Sequence, residues 1–324
     1  MAENTITGLI PEIYEALDIV SRELTGMIPS ATMNASSNTA AVGQAIRIDV
    51  EPAGNVSNIA PAMTVPDPTG QTSGFTDIII TKSRAAEFGF LGEDQKGLNT
   101  GAGYGTVRAN KIAQAIRAVT NEVETDLCGL QSTFSRAHGT AGTAPFGTAN
   151  DYTDASNVLK ILKDNGSPLQ DNQLVINTTA GVNLLGKQAA VADAGSDSIL
   201  RQGVLLDING MPIRESAQIV DQAAGGIAGA ATTNAAGYAV GATVLTLAAG
   251  GTGNVVAGDV VTFAGDTNKY VVASAVFAGV NPAAGDTITL AAPGLRVAMT
   301  AATKAITKIA ASSRNMAFNR SAIV

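Results

Sequence analysis

Residues 106–134 constrain the fold more than any other stretch. Their apolar side chains fall at Ile112, Ile116, Val119, Val123, Leu127, Leu130 and Phe134, at steps of four, three, four, four, three and four. Those steps draw a single stripe along an α-helix. Arg108, Lys111, Gln114, Arg117, Glu122, Glu124 and Asp126 occupy the other faces. No proline interrupts the run, and Gly129 is its only interior glycine. At ~1.5 Å per residue such a helix spans roughly 40 Å. Extended, Pro/Gly-rich sequence precedes it and β-rich sequence follows it. The expectation is a spine against which sheets pack.

Upstream, Ile6, Leu9, Ile13, Leu17, Val20, Leu24 and Met27 recur at three- and four-residue steps up to Pro29. This is an amphipathic helix. It packs either on its own domain or, as an arm, on a neighbouring subunit. From Gln44 the period becomes two: Ile46, Ile48 and Val50 alternate with Arg47, Asp49 and Glu51, and a second strand is expected over 75–82. Residues 52–74 between them carry Pro61, Pro66, Pro68, Gly70 and Gly74. A loop of that length is unusual in a compact domain. A two-stranded ribbon is marginal in water and needs a surface to lean on.

Downstream, residues 151–220 read as mixed α/β. Helices are expected over 154–165, 178–187 and, more weakly, 196–201, with a strand over 173–177. A hairpin turns at Asn209-Gly210, and its second strand continues through 216–220. Gly-rich residues 225–234 mark a boundary. Short apolar runs then follow at 243–247, 260–263, 270–276, 287–290 and 304–310, separated by turns such as Ala257-Gly258-Asp259 and Ala264-Gly265-Asp266. That spacing predicts a small β-barrel or sandwich. Residues 313–323 read as a last strand returning to the main body, which makes the β module an insertion.

Composition narrows the chemistry. The chain has 324 residues and a net charge of 20 − 27 = −7. An acidic chain lacks the clustered Lys and Arg that grip phosphates. Cys128 and His138 are its only cysteine and histidine, so an intramolecular disulfide and a cysteine metal cluster are excluded. Cys128 lies beside the apolar stripe and reads as packing. A helix carries it roughly 15 Å from His138, too far for a nucleophile–base pair. Gly101-x-Gly103-x-Gly105 lacks both the dinucleotide spacing and the Lys-Ser/Thr of a phosphate loop, and reads as a flexible lead into the helix. Asp259 and Asp266 lack the ligand density of a calcium loop and read as turn residues. Glu93-Asp94 reads as a solvated loop. No catalytic, cofactor-binding or metal-ligating residue is expected, and hence no cofactor. No signal peptide and no membrane span are expected either.

Short stretches also carry a likeness. They are Asn4-Thr5-Ile6-Thr7, Leu9-Ile10-Pro11-Glu12, Ala16-Leu17-Asp18, Ile59-Ala60-Pro61-Ala62-Met63, Ile80-Thr81-Lys82-Ser83-Arg84, Gly97-Leu98-Asn99-Thr100-Gly101, Phe318-Asn319-Arg320-Ser321-Ala322 and the run from Ala257-Gly258-Asp259 to Asn268-Lys269-Tyr270. In this order they resemble tailed-bacteriophage major capsid (coat) proteins of the HK97-like fold that carry an inserted β-barrel domain. The resemblance implies an α+β chain with an N-terminal arm (1–43) and an extended two-stranded loop (44–91). A peripheral domain holding the spine helix (92–149) and an axial/peripheral α/β domain (150–222) would follow. An inserted β-barrel (223–310) and a C-terminal strand rejoining the main fold (311–324) would complete it.

It further implies self-assembly into hexamers and pentamers of an icosahedral shell, with a scaffolding protein and a portal protein as partners. Packaged double-stranded DNA would touch the inner wall weakly and without sequence preference. The shell would assemble in the host bacterial cytoplasm, with no membrane and no catalysis. Lys82 and Lys96 are not singled out as cross-linking residues. The alternatives are a β-rich surface or adhesion protein, or a hydrolase whose carboxylate or Ser/Thr nucleophile is hidden by sparse spacing.

Overall fold

A computed structural model describes residues 25–33, 42–50, 73–87, 89, 104–148, 151–187, 202, 203, 205 and 207–323. The amphipathic helix up to Leu24, the loop 51–72, Glu93-Asp94, Lys96, Gly101, Gly103 and the weak helix over 196–201 lie outside the described residues. The chain divides into two compact units, 33–87 with Val324, and 1–32 with 88–323.

The smaller unit holds strands β1 (Ala45–Val50) and β2 (Gly74–Ile79), paired antiparallel with Ile46 opposite Ile78 and Arg47 opposite Asp77. The second strand therefore ends earlier than the expected 82. Residues opposite one another share a face. One face presents Ile46, Ile48, Thr76 and Ile78. The other carries the Arg47–Asp77 ion pair at 3.2 Å, with the guanidinium 3.6 Å from the Phe75 ring centroid. No described residue of this unit is buried, and Phe75 and Ile79 are each 57% exposed.

In the larger unit, helix α1 (Tyr104–Gly129) runs into a 3-10 turn, Leu130–Ser132. Hydroxyls satisfy carbonyls at this end: Ser132 Oγ donates to Gly129 O and Thr133 Oγ1 to Leu130 O. Strand β3 (Arg136–Ala137) follows, then helix α2 (Thr153–Asp164). That helix closes with Gly166 N–H on Lys163 O and Ser167 N–H on Leu162 O, a Schellman-type ending. Strand β4 (Asn172–Ile176) is buried along its whole length. Helix α3 (Thr178–Lys187) is capped by Asn177, whose Oδ1 accepts from Ala180 N–H. The Asn209-Gly210 turn forms as expected, with φ of 54° and 72° between bridged Ile208 and Met211. Strand β5 (Ile213–Glu215) stops at Glu215, however. The expected continuation over 216–220 is absent, because Ser216 and Gln218 turn toward α1 and form side-chain hydrogen bonds there. Strand β11 (Met316–Asn319) pairs antiparallel with β4, and β5 pairs parallel with its other edge.

Between β5 and β11 in the sequence lie β6 (Val244–Thr246), β7 (Val260–Phe263), β8 (Lys269–Val276), β9 (Thr287–Leu290) and β10 (Ile306–Lys308). The hydrogen-bonded order is β10-β7-β8-β9-β6, and β3 also pairs with β8. The expected closed barrel is not formed: this is an open sheet. At the β6 edge an isolated bridge joins Thr233 to Leu247, the same segment bridges Thr232 to Ala305 beside β10, and the Tyr238 hydroxyl adds side-chain bonds. That hydroxyl accepts from Thr246 N–H at 2.8 Å and donates to Asn234 Oδ1 at 2.7 Å. Asn234 N–H takes the Thr246 carbonyl at 2.9 Å. Leu245, Leu247, Phe263, Tyr270, Val272, Ile288, Leu290 and Leu295 fill the core behind the sheet.

One local device recurs three times in this sheet. Ala-Gly-Asp closes turns at 256–259, 263–266 and 283–286, with glycine φ of 89°, 89° and 97°. In each, the Asp N–H returns to the carbonyl three residues earlier. Only glycine adopts that φ without strain. The carboxylates then bind nearby donors. Asp286 accepts from Ala278 N–H at 2.9 Å and Ala283 N–H at 2.8 Å. Asp286→Ala strands both donors and is expected to lower stability by about 1–3 kcal/mol. Asp286→Asn, which keeps one acceptor, should fall between; urea unfolding midpoints check both.

Candidate functional site

The best-defined polar site lies on the spine, on a face the sequence pattern did not mark. The predicted apolar stripe is only partly the buried face: Val123 is 44% exposed, while Glu124 is fully buried. Glu124, Cys128 and Gln131 stand four and three residues apart, on one side of the helix. Each holds a different segment.

Glu124 holds the backbone of residues 26–28. Its Oε1 accepts from Gly26 N–H and Met27 N–H, each at 2.8 Å, and its Oε2 accepts from Ile28 N–H at 3.0 Å. The Ile28–Ser30 turn has no capping side chain of its own. A carboxylate distant in sequence thus does the work of a helix cap. The fit is close: a Cβ on Gly26 would lie 2.7 Å from Glu215 O and 2.8 Å from Val175 Cγ1. Ser30 Oγ donates to Gly26 O and accepts from Arg214 Nη1 at 3.0 Å, and Arg320 Nη2 donates to Pro29 O at 2.8 Å. Met27 itself is buried with Cys128, Val175, Ile219, Met316, Phe318 and Ile323.

Cys128 lies 3.4 Å from Ser216 Oγ and is 1% exposed. Burial is the main cause that pushes its thiol up to about 11; the Ser216 hydrogen bond opposes the shift and the Glu124 charge adds to it. His138 belongs to another network, with Asn157 Nδ2 at 3.1 Å and Asp154 at 3.8 Å. No nucleophile–base pair joins the two. Gln131 Nε2 donates to Val220 O at 2.9 Å, and its Oε1 accepts from Arg314 N–H at 3.0 Å.

The other sequence candidates have structural partners. Asp259, fully buried, accepts from Gly225 N–H at 3.0 Å and Val256 N–H at 2.9 Å. Asp266 accepts from Asn268 N–H and from the Tyr270 hydroxyl, at 2.8 and 2.6 Å. The Tyr270 hydroxyl is pushed up to about 12, first by burial and then by that bond. Gly105 already belongs to α1. Among the described residues, no group of three or more His, Cys, Asp or Glu could hold a metal ion. No helix among them is long and apolar enough to cross a membrane. The arrangement anchors chain segments.

No family model matches this chain, and no curated protein matches it. A solved chain from Mycobacterium phage Che8 aligns at 14% identity with a TM-score of 0.46, covering 91% of this chain and 91% of that one. The capsid structure of the cyanophage P-SCSP1u aligns at 15% identity with a TM-score of 0.38, covering 85% and 84%.

Glu124→Ala leaves three N–H donors unsatisfied and is expected to destabilise the fold by about 3–5 kcal/mol. Glu124→Gln, which keeps one acceptor oxygen, should cost less. Thermal unfolding of both variants measures this. Native Cys128 should resist thiol reagents at neutral pH and react fully in denaturant. Because its folded pKa is raised from 9.0 to about 11, its contribution to stability is complete below pH 9 and is lost as pH rises toward 11. Cys128→Ser should flatten that part of the pH–stability curve.

Proposed function

We propose that this chain is a structural shell protein, a tailed-phage-type major capsid protein that works by association with copies of itself and not by catalysis. The β1–β2 ribbon carries the reading. Two strands cannot bury a core of their own and are marginal alone. Here one face presents Ile46, Ile48, Thr76 and Ile78, and no described residue of the unit is buried. A neighbouring copy is the surface that would complete it. The polar row on α1 supports the same reading, because it spends buried carboxylate and amide groups on fixing the chain's shape.

In this reading the HK97-like division applies. The N-terminal arm covers 1–43, the extended loop 44–91, the peripheral domain with the spine 92–149 and the axial/peripheral domain 150–222. The insertion takes 223–310, built as an open sheet, and the returning strand 311–324. Copies form hexamers and pentamers of an icosahedral shell around double-stranded DNA, which touches the acidic wall weakly. A scaffolding protein guides assembly, a portal protein occupies one vertex, and the product is a virion capsid built in the host cytoplasm.

The test is electron microscopy and sedimentation of purified protein, alone and with a scaffolding partner. Shells or rings are expected. The double variant Ile46→Glu, Ile48→Glu should stay monomeric with an unchanged thermal midpoint. A wild-type protein that is monomeric under every condition would overturn the reading.

A further inference from the structure

We propose that Gln131 and Arg314 form a clamp that locks the β6–β10 sheet to the end of the spine helix, so that sheet and spine behave as one rigid body. The chain leaves the α/β body near Val220 and returns near Arg314. Those two crossings touch: Gln222 N–H donates to Ser312 O at 3.2 Å. Gln131, 4% exposed, sits across them. Its amide nitrogen takes the carbonyl of the outgoing crossing at Val220, and its amide oxygen takes the N–H of the returning crossing at Arg314. One neutral side chain thus pins both strands of the neck. An amide suits this position because it offers a donor and an acceptor side by side.

Arg314 extends the clamp into the sheet. Its Nη1 donates to Gly258 O at 2.6 Å. Its guanidinium pKa is lowered by burial, with the Asp259 charge opposing that shift. Asp259 in turn binds Gly225 N–H on the outgoing crossing, and Lys308 Nζ donates to Gly225 O. The turn at Gly258 lies directly on the spine end, where an added Cβ would come within 2.7 Å of Ser132 Cβ. Strand β3, just beyond the spine, pairs with β8 of the same sheet. The sheet is therefore held at the neck, at a turn and at a strand edge. Sliding or hinging breaks several partly buried hydrogen bonds at once.

On the shell reading above, on which this consequence rests, the clamp keeps the placement of the sheet on the spine uniform among copies, and adjustment between hexamer and pentamer positions falls elsewhere in the chain.

Amide hydrogen exchange on the unassembled full-length protein is the test. In Gln131→Ala, exchange at Arg314 and over 222–226 should speed up by about tenfold, while the β4 and β8 amides keep their protection. Arg314→Lys keeps the backbone N–H that Gln131 binds but shortens the reach to Gly258, and should loosen only the 256–259 turn. Unchanged exchange at these sites in both variants overturns the clamp. If Gln131→Ala loses protection everywhere, Arg314→Lys decides: selective loosening supports the clamp, and global loss overturns it. Particle imaging then reads the consequence separately. Gln131→Ala should broaden the diameter distribution, and an unchanged distribution beside faster exchange overturns that consequence alone. If the wild type forms no particles, the shell reading fails while the exchange result on the clamp stands.

Discussion

The buried carboxylate of Glu124 is the interaction on which the rest of the larger unit depends. It is fully buried and meets three backbone N–H groups that begin the Ile28–Ser30 turn. A buried charge is tolerated only where hydrogen bonds replace its water. Here the replacement is complete in kind: both oxygens face donors. The consequence is positional. Residues 26–28 are fixed at one place, with Met27 in the cluster of Val175, Met316 and Phe318. Cys128 and Gln131 repeat the pattern along the same face, fixing Ser216, Val220 and Arg314. The spine is less a greased strut than a row of hydrogen-bonding pegs.

The inserted sheet follows a second economy. It has few long strands and little aromatic bulk, so turns and edges carry much of its order. The repeated Ala-Gly-Asp turn provides a left-handed glycine, a closing N–H and a carboxylate that binds further donors. At the β6 edge the Tyr238 hydroxyl binds Thr246 and Asn234 beside the Thr233–Leu247 bridge.

Much of this architecture was legible in sequence, and the reasons differ by element. The helix over 178–187 matched because Asn177 caps it and its periodicity is local. The Asn209-Gly210 turn was legible because positive φ at two successive residues is a strong chemical demand. Strand β8 began within one residue of its expected start. The apolar stripe on α1 misled in part. Hydrophobic spacing finds a helix, but it does not say which face a polar anchor will occupy, and Glu124 looked like any solvated glutamate. Residues 216–220 looked like strand until Ser216 and Gln218 found partners on α1. Cys128 was legible as packing because a lone thiol without an adjacent base has little else to do. The clamp at Gln131 had no signal at all, since its partners are main-chain groups 89 and 183 residues away.

The sequence alone determined the period of the elements, the turn chemistry and the long helix. These are short-range properties, set by steric limits on φ and ψ and by which residue types are present. Only the tertiary structure decided which face of the spine is buried, that no closed barrel forms, and where residues 26–28 and the inserted sheet are fastened. Those outcomes turn on long-range pairing of polar groups, and such groups choose partners only when folding has removed the water that satisfies them equally well elsewhere.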